Sequence, residues 1–117
     1  MESGIAILRL SALAQESRLQ IFRLLVQAGP NGLAAGEIAR QLGIPPNTLS
    51  THLNILTTSG LLSARRDSRS RIYATQFEAI RQLLAFLMED CCQGKPEVCA
   101  PLMEIVTACG TPDRSCS

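Results

Sequence analysis

Three groups of helix-breaking residues divide the first sixty positions of this chain: Gly29-Pro30-Asn31-Gly32, Gly43 with Pro45-Pro46, and Ser59-Gly60. Glycine and proline are the strongest local punctuators of backbone structure, so no regular element is expected to cross them. What lies between them is apolar at helical spacing. Arg18 to Ala28 reads as a helix with Leu19, Phe22, Leu25 and Val26 on one face. Ala35 to Leu42 carries Ile38, Ala39 and Leu42 inward, and Gly43 supplies a left-handed cap. Pro45 and Pro46 open a further helix where a missing N–H costs nothing, and Leu49, Leu53 and Leu56 line its inner side as far as Ser59-Gly60. Ahead of all these, Ile5, Leu8, Leu10, Leu13 and Ala14 predict a first short helix ending near Gln15.

After Gly60 the period changes. Leu61 to Arg66 and Arg71 to Thr75 read as two short strands around a hairpin tip, Asp67-Ser68-Arg69-Ser70. A last long helix is predicted from Gln76 to Cys92. Its stripe Phe77, Ile80, Leu84, Leu87 and Cys91, widened by Leu83 and Met88, has the spacing of a helix that packs on another helix, as in a dimer. Gly94 and Pro96 end it, Glu97 to Val106 predicts one more short helix, and 111–117 reads as a disordered tail. At 117 residues there is room for a single core. With 46% hydrophobic but only 3% aromatic residues, that core must come from Leu, Ile, Val and Ala, the composition of packed helices. The expected fold class is therefore mostly α with a small β-hairpin (α+β).

Charge is uninformative in total, at +1, and informative in its distribution. Arg65, Arg66, Arg69 and Arg71 fall within seven residues, opposed only by Asp67, while Glu89, Asp90, Glu97 and Glu104 crowd the C-terminal third. A local basic patch on a near-neutral chain fits site-restricted phosphate contact rather than a general polycation. Helix, glycine turn, helix and basic hairpin is the order of a winged helix-turn-helix. The helix from Pro46 to Thr58 is about 20 Å long at 1.5 Å per residue, a length that suits a major groove. Away from its leucines it offers Asn47, Thr48, Ser50, Thr51, His52 and Asn54, and no formal charge occurs between Pro45 and Gly60. A merely solvated face would carry Glu and Lys. Short hydrogen-bonding side chains without carboxylates are what base edges and phosphates require. The four arginines of the hairpin, Arg65, Arg66, Arg69 and Arg71, would add phosphate or minor-groove contacts. Double-stranded operator DNA is thus the expected partner.

All five cysteines lie at or beyond position 91. A disulfide framework would spread bridges along the fold, so reduced thiols acting as ligands or redox groups are expected. Cys91 and Cys92 end the last helix, and Gly94 and Pro96 allow the following turn to bring Cys99 back to them. Three thiolates form a soft site that selects soft metals and metalloids over Mg²⁺ or Ca²⁺. The competing role for Cys91 is that of a small hydrophobe in a helix interface. Cys109 and Cys116 would extend the donor set towards four sulfurs, favouring Zn²⁺ or Cd²⁺. A redox or persulfide sensor would pair Cys99 with Cys91 or Cys92, because adjacent cysteines in a helix meet disulfide geometry poorly. A thiol-dependent enzyme is disfavoured: the only histidine, His52, lies in another helix, so none near the thiols in sequence is placed to move their protons. No secretory signal and no apolar run of membrane-spanning length is present in the sequence, so a cytoplasmic location, with no membrane partner and no organic cofactor, is expected.

Particular residues carry a family resemblance. Ala12-Leu13-Ala14-Gln15-Glu16-Ser17-Arg18-Leu19-Gln20-Ile21-Phe22 resembles the opening of the ArsR/SmtB family of metal-responsive repressors. Thr48-Leu49-Ser50-Thr51-His52-Leu53-Asn54-Ile55-Leu56, followed by Ser59-Gly60-Leu61-Leu62, resembles its recognition helix and the exit into the wing. The match runs from about Leu10 to Cys92. It implies a homodimeric winged-helix repressor, paired through its terminal helices, that leaves an imperfect palindrome when an inducer binds. Carried over by position, Asn47, Thr48, Ser50, Thr51, His52 and Asn54 fall where the family touches DNA. The chain also departs from the family. Ala34 and Gly36 stand where arsenic and cadmium sensors carry a Cys-x-Cys pair, and His52 is the only histidine, so the zinc-type site of the last helix is missing. Cys91, Cys92 and Cys99 resemble instead the vicinal pair plus third cysteine of some arsenic-responsive members. The resemblance implies As(III) as inducer, with Sb(III) as a chemical neighbour. The expected organisation is a winged-helix DNA-binding and dimerisation domain over 1–92 and a ligand-closing segment with a flexible tail over 93–117.

Overall fold

A computed structural model describes residues 1–88. The elements follow in the order α1 (Ser3–Leu13), α2 (Glu16–Ala28), β1 (Leu33–Ala34), α3 (Ala35–Leu42), α4 (Pro46–Thr58), β2 (Leu62–Asp67), β3 (Ser70–Thr75) and α5 (Phe77–Leu87). The breakers fall between elements as the sequence predicts. Gly29 follows α2, Gly43 takes the left-handed cap of α3, and Pro46 is the first residue of α4. α2 begins two residues earlier than its apolar pattern suggests. The Gln15 side chain accepts the Arg18 N–H at 2.9 Å and so satisfies one of the free donors of the first turn.

The three strands form an antiparallel sheet in the order β1-β3-β2. β1 escapes sequence reading because two residues carry no detectable period. Leu33 pairs with Tyr73 and Ala34 with Ile72. Gly32 makes that approach feasible: its φ is +70°, and a Cβ built there would lie 2.2 Å from the Tyr73 carbonyl oxygen. The hairpin is tighter than predicted. Asp67 pairs with Ser70, which leaves a two-residue turn, Ser68-Arg69, with Ser68 at φ +60°.

The core lies where α2, α3, α4 and the sheet meet. Its largest fully buried side chains are Ile21, Leu25, Ile38, Leu49, Leu53, Leu56, Leu61 and Leu62. Each contributes about 1.5–3 kcal/mol of burial free energy. The inner face of α2 is Ile21, Phe22 and Leu25, whereas Leu19 and Val26, expected on that face, are exposed. Seven residues apart on a helix, the two share one azimuth and lie together on its flank. The predicted stripe of α5 divides as well. Ala79 and Leu83 point into the molecule, Ile80 and Leu84 are half-buried, and Phe77 and Leu87 are each 48% exposed.

α1 inverts the usual amphipathic pattern. Its small residues Ala6 and Ala12 are buried, while Ile5, Ile7, Leu8 and Leu10 are 40–63% exposed. It packs against α2, α4 and α5. The predicted end of the last helix at Cys92, the helix over Glu97 to Val106, the tail over 111–117 and the 92/93 domain boundary lie outside the described residues.

Candidate nucleic-acid interface

α4 is anchored by Leu49, Leu53 and Leu56, each at most 2% exposed. With its inner edge fixed, its other positions are set by 100° steps. Asn47, Thr48, Ser50, Thr51 and Asn54 are exposed, as predicted for a face presented to DNA. Among the described residues, only Thr51 of these five has an intramolecular side-chain bond, a long 3.4 Å contact to its own helix at the Asn47 carbonyl.

His52 is placed differently from its neighbours. Three steps beyond Leu49, it lies about 60° from the buried edge and is half-buried. Its Nδ1 is 3.4 Å from Arg18 Nη1. The Arg18 Nε donates at 2.7 Å to the Ala12 carbonyl at the end of α1. The Arg18 guanidinium has donors only, so it can bond Nδ1 only through that nitrogen's lone pair.

The wing stands beside α4. Register places Arg66 directly opposite Arg71, with Arg69 in the turn, and all three are exposed. Like charges directly opposed across a strand pair are unfavourable. The ion pairs among the described residues are Glu37–Arg40 and Glu78–Arg81, so neither relieves this repulsion. Phosphates placed between these side chains would do so. Arg65 faces the other side of the ribbon, opposite Ile72, and donates to the Asn31 carbonyl at 2.9 Å. It braces the turn before β1, a role that sequence reading, which grouped it with the other three, did not supply.

Between wing and helix runs an open groove of about 450 Å³, which brings Ser50 and Asn54 of α4 together with Arg69 and Arg71 of the wing. The start of α3 closes its third side through Ala34, Ala35 and Gly36, and Ala34 provides no side-chain cap for the first-turn N–H groups. One carboxylate, Glu37, lies in that turn. Hydrogen bonds from Arg40 and Gln41 hold its pKa down at about 2, so it stays ionised and engaged within α3. The groove therefore offers hydroxyl, amide and guanidinium groups to an anionic, hydrogen-bonding polymer.

Among the described residues, no group of three His, Cys, Asp or Glu side chains is placed to hold a metal ion, and no helix is long and apolar enough to cross a membrane. Cys91, Cys92 and Cys99, the predicted thiol ligands, lie outside those residues, as do Cys109 and Cys116.

Comparison with known proteins agrees with this geometry. A family described as a helix-turn-helix domain matches residues 13–63. The chain is 31% identical over 92 residues to the transcriptional activator HlyU of Vibrio cholerae, covering 79% of this chain and 82% of HlyU. It is 34% identical over 85 residues to a Halobacterium salinarum protein that bears the name of an arsenical resistance operon repressor, ArsR, covering 73% of this chain and 64% of that one. Among solved structures it resembles the homodimeric winged helix-turn-helix DNA-binding domain Mb0332 of Mycobacterium bovis, with a TM-score of 0.61, 29% identity and coverage of 80% of this chain and 84% of that one. A recognition helix on a leucine edge, a paired basic wing and these relatives lead to one assignment: the chain belongs to the ArsR/SmtB family of winged helix-turn-helix transcriptional regulators.

Proposed function

We propose that this regulator is a dimeric repressor that holds operator DNA with its thiols free and releases it when As(III) takes Cys91, Cys92 and Cys99. The observation that carries the DNA half is the uncharged polar face of α4 beside the opposed Arg66–Arg71 pair. Such an arrangement is unfavourable unless a polyanion completes it. The dimer rests on α1 and α5, whose large apolar side chains Ile7, Leu8, Phe77 and Leu87 face outwards, and on the homodimeric state of Mb0332. Two copies would set their α4 helices roughly 34 Å apart, one DNA turn.

The input half rests on the donor set. Three thiols exchange for the three hydroxyls of arsenous acid with loss of three waters and no redox change. They give a pyramidal site whose lone pair leaves no place for a fourth ligand. A differential affinity of about 1–3 kcal/mol between the DNA-competent and DNA-incompetent states weakens binding roughly 5- to 150-fold. The role is that of a cytoplasmic regulator and not of an enzyme.

A second reading keeps the DNA half and changes the input to thiol oxidation. It is favoured by the likeness to HlyU, one of whose structures is specifically of reduced HlyU, at 30% identity and a TM-score of 0.59. Zinc or cadmium sensing by a larger sulfur set is the remaining variant.

The test is fluorescence anisotropy of the reduced full chain on its own upstream DNA, titrated separately with arsenite, zinc and a mild oxidant. Near-stoichiometric release by arsenite alone, lost in Cys99→Ser with DNA binding retained, is the expected result. Release by oxidant or zinc alone assigns the other input, and continued arsenite release from Cys99→Ser rules out the three-thiol site.

A further inference from the structure

α4 ends against two residues whose environment is unusual. Ser59 is 3% exposed, and its hydroxyl donates to the Leu56 carbonyl at 2.8 Å. Gly60 follows at φ +89°, with its N–H bonded to Thr57 O at 3.0 Å, while Leu61 N–H returns to Leu56 O at 3.1 Å. This is a glycine-capped helix end in which the inner carbonyls are satisfied locally. The Ser59 carbonyl finds its donor fifty residues away, in Arg9 Nε at 3.0 Å.

Arg9 comes from α1, and the same guanidinium reaches α5. Its Nη1 lies 3.2 Å from the Ala79 carbonyl oxygen and 3.4 Å from Gln82 Oε1. All three acceptors are neutral, and no carboxylate among the described residues lies within ion-pair distance of it. Its charge therefore meets the negative end of the α4 dipole and is not cancelled by an acid. Gly60 leaves it room, since a Cβ there would be 3.0 Å from Arg9 Nη2 and 3.4 Å from Nε.

From this geometry we infer that Arg9 is a positioning residue for DNA reading: one planar guanidinium clamps the end of the recognition helix α4 to α1 and to α5. The inference rests on the DNA-binding role proposed above and adds to it the means by which α4 is held in register with the two terminal helices. A fork is needed for this. Nε and Nη1 point in fixed, different directions at carbonyls on different elements, whereas the ammonium of lysine is a point charge on a flexible stem. The orientation of α4 relative to α1 and α5 is thereby fixed at its C-terminal end. In a molecule paired through α1 and α5, that orientation sets where each reading helix enters its groove. A displacement of α5 has a direct mechanical route to α4 through Ala79, Gln82 and Arg9.

The test separates positioning from simple stabilisation. Wild type, Arg9→Lys and Arg9→Gln are prepared as full chains, and their oligomeric state is measured by sedimentation. Affinity is then measured for a duplex selected from a random pool by the wild-type protein and for a scrambled duplex of equal length. The expected result is that Arg9→Lys stays folded and of wild-type oligomeric state and binds scrambled DNA as wild type does. It loses about tenfold on the selected duplex, the size of effect that accompanies loss of a charge-assisted hydrogen bond. Arg9→Gln loses at least as much if it folds, and Arg9→Lys decides the matter if it does not. An unchanged ratio of selected to scrambled affinity in folded Arg9→Lys overturns the inference, whatever happens to its melting temperature. Failure of the wild-type protein to discriminate the two duplexes overturns the DNA-reading role itself, and is recognised because it appears before any substitution is made.

Discussion

Single residues carry geometry here that their types alone do not announce. Ser68 occupies the left-handed region at φ +60° in a two-residue turn, where glycine is the ordinary choice. Replacing it by glycine removes the clash of Cβ with the neighbouring carbonyl and adds some chain entropy to the unfolded state. The net gain is about 0.5–1 kcal/mol, a rise of roughly 2–5 °C in melting temperature by calorimetry. Gly32 is the converse case. Alanine there must adopt φ +70° and put its Cβ 2.2 Å from the Tyr73 carbonyl, so Gly32→Ala is expected to lower stability by about 2 kcal/mol or more. Equal responses of the two variants would contradict this assignment of strain. His52 differs from the other five polar positions of α4 in burial, because its azimuth half-buries it against Arg18.

At the scale of elements, the distinction that matters lies between two faces of one ribbon. Arg66 and Arg71 share a face and oppose one another, while Arg65 turns away and holds the Asn31 carbonyl. Arg71→Ala is therefore expected to weaken DNA binding on all sequences and to reduce the slope of log K against log salt by about one. Arg65→Ala should leave that slope unchanged and instead destabilise the loop before β1. Salt titrations of both variants on one duplex decide between them, and a loss of slope in Arg65→Ala would overturn the division. The order of the helices, most of their limits and the place of the hairpin were legible in the sequence because breakers, caps and apolar periods all act within a few residues. α3 and α4 match their predicted limits for that reason. The strand Leu33–Ala34 was not legible, since two residues have no period and their pairing is with Tyr73 and Ile72, 40 and 38 positions away. The inner face of α2 was misjudged for the same physical reason: Leu19 and Ile21 are both strongly apolar, and the elements packed on α2, which are α1, α3, α4 and β3, determine which is covered. The candidate DNA face could be read from the absence of charge. The Arg9 clamp could not, because an arginine in a short apolar helix does not disclose the carbonyls it will meet.

For the whole molecule, the described residues present two unlike surfaces, the polar groove of α4 and the wing, and the apolar exterior of α1 and α5. An 11-residue helix that buries Ala6 and Ala12 while exposing Ile5, Ile7, Leu8 and Leu10 gains little as the edge of a monomer. The same arrangement is favourable where a second copy removes those side chains from water, at about 25 cal/mol for each Å² covered. Phe77 and Leu87 on α5 extend the surface. Ile7, at 63% exposure, is the most open of these side chains, so Ile7→Glu alters the monomer fold little and places a carboxylate in the pairing surface. The expected outcome is a shift from dimer to monomer in sedimentation with an unchanged helical circular dichroism spectrum. Because each monomer retains its α4 and wing, binding to a half-site duplex should persist, while the added affinity of a two-half-site duplex should be lost. That added affinity comes from tethering the second recognition helix at a high effective concentration, commonly a gain of about 10²–10⁴. If Ile7→Glu stays dimeric and keeps the two-site advantage, the pairing surface lies elsewhere on the molecule.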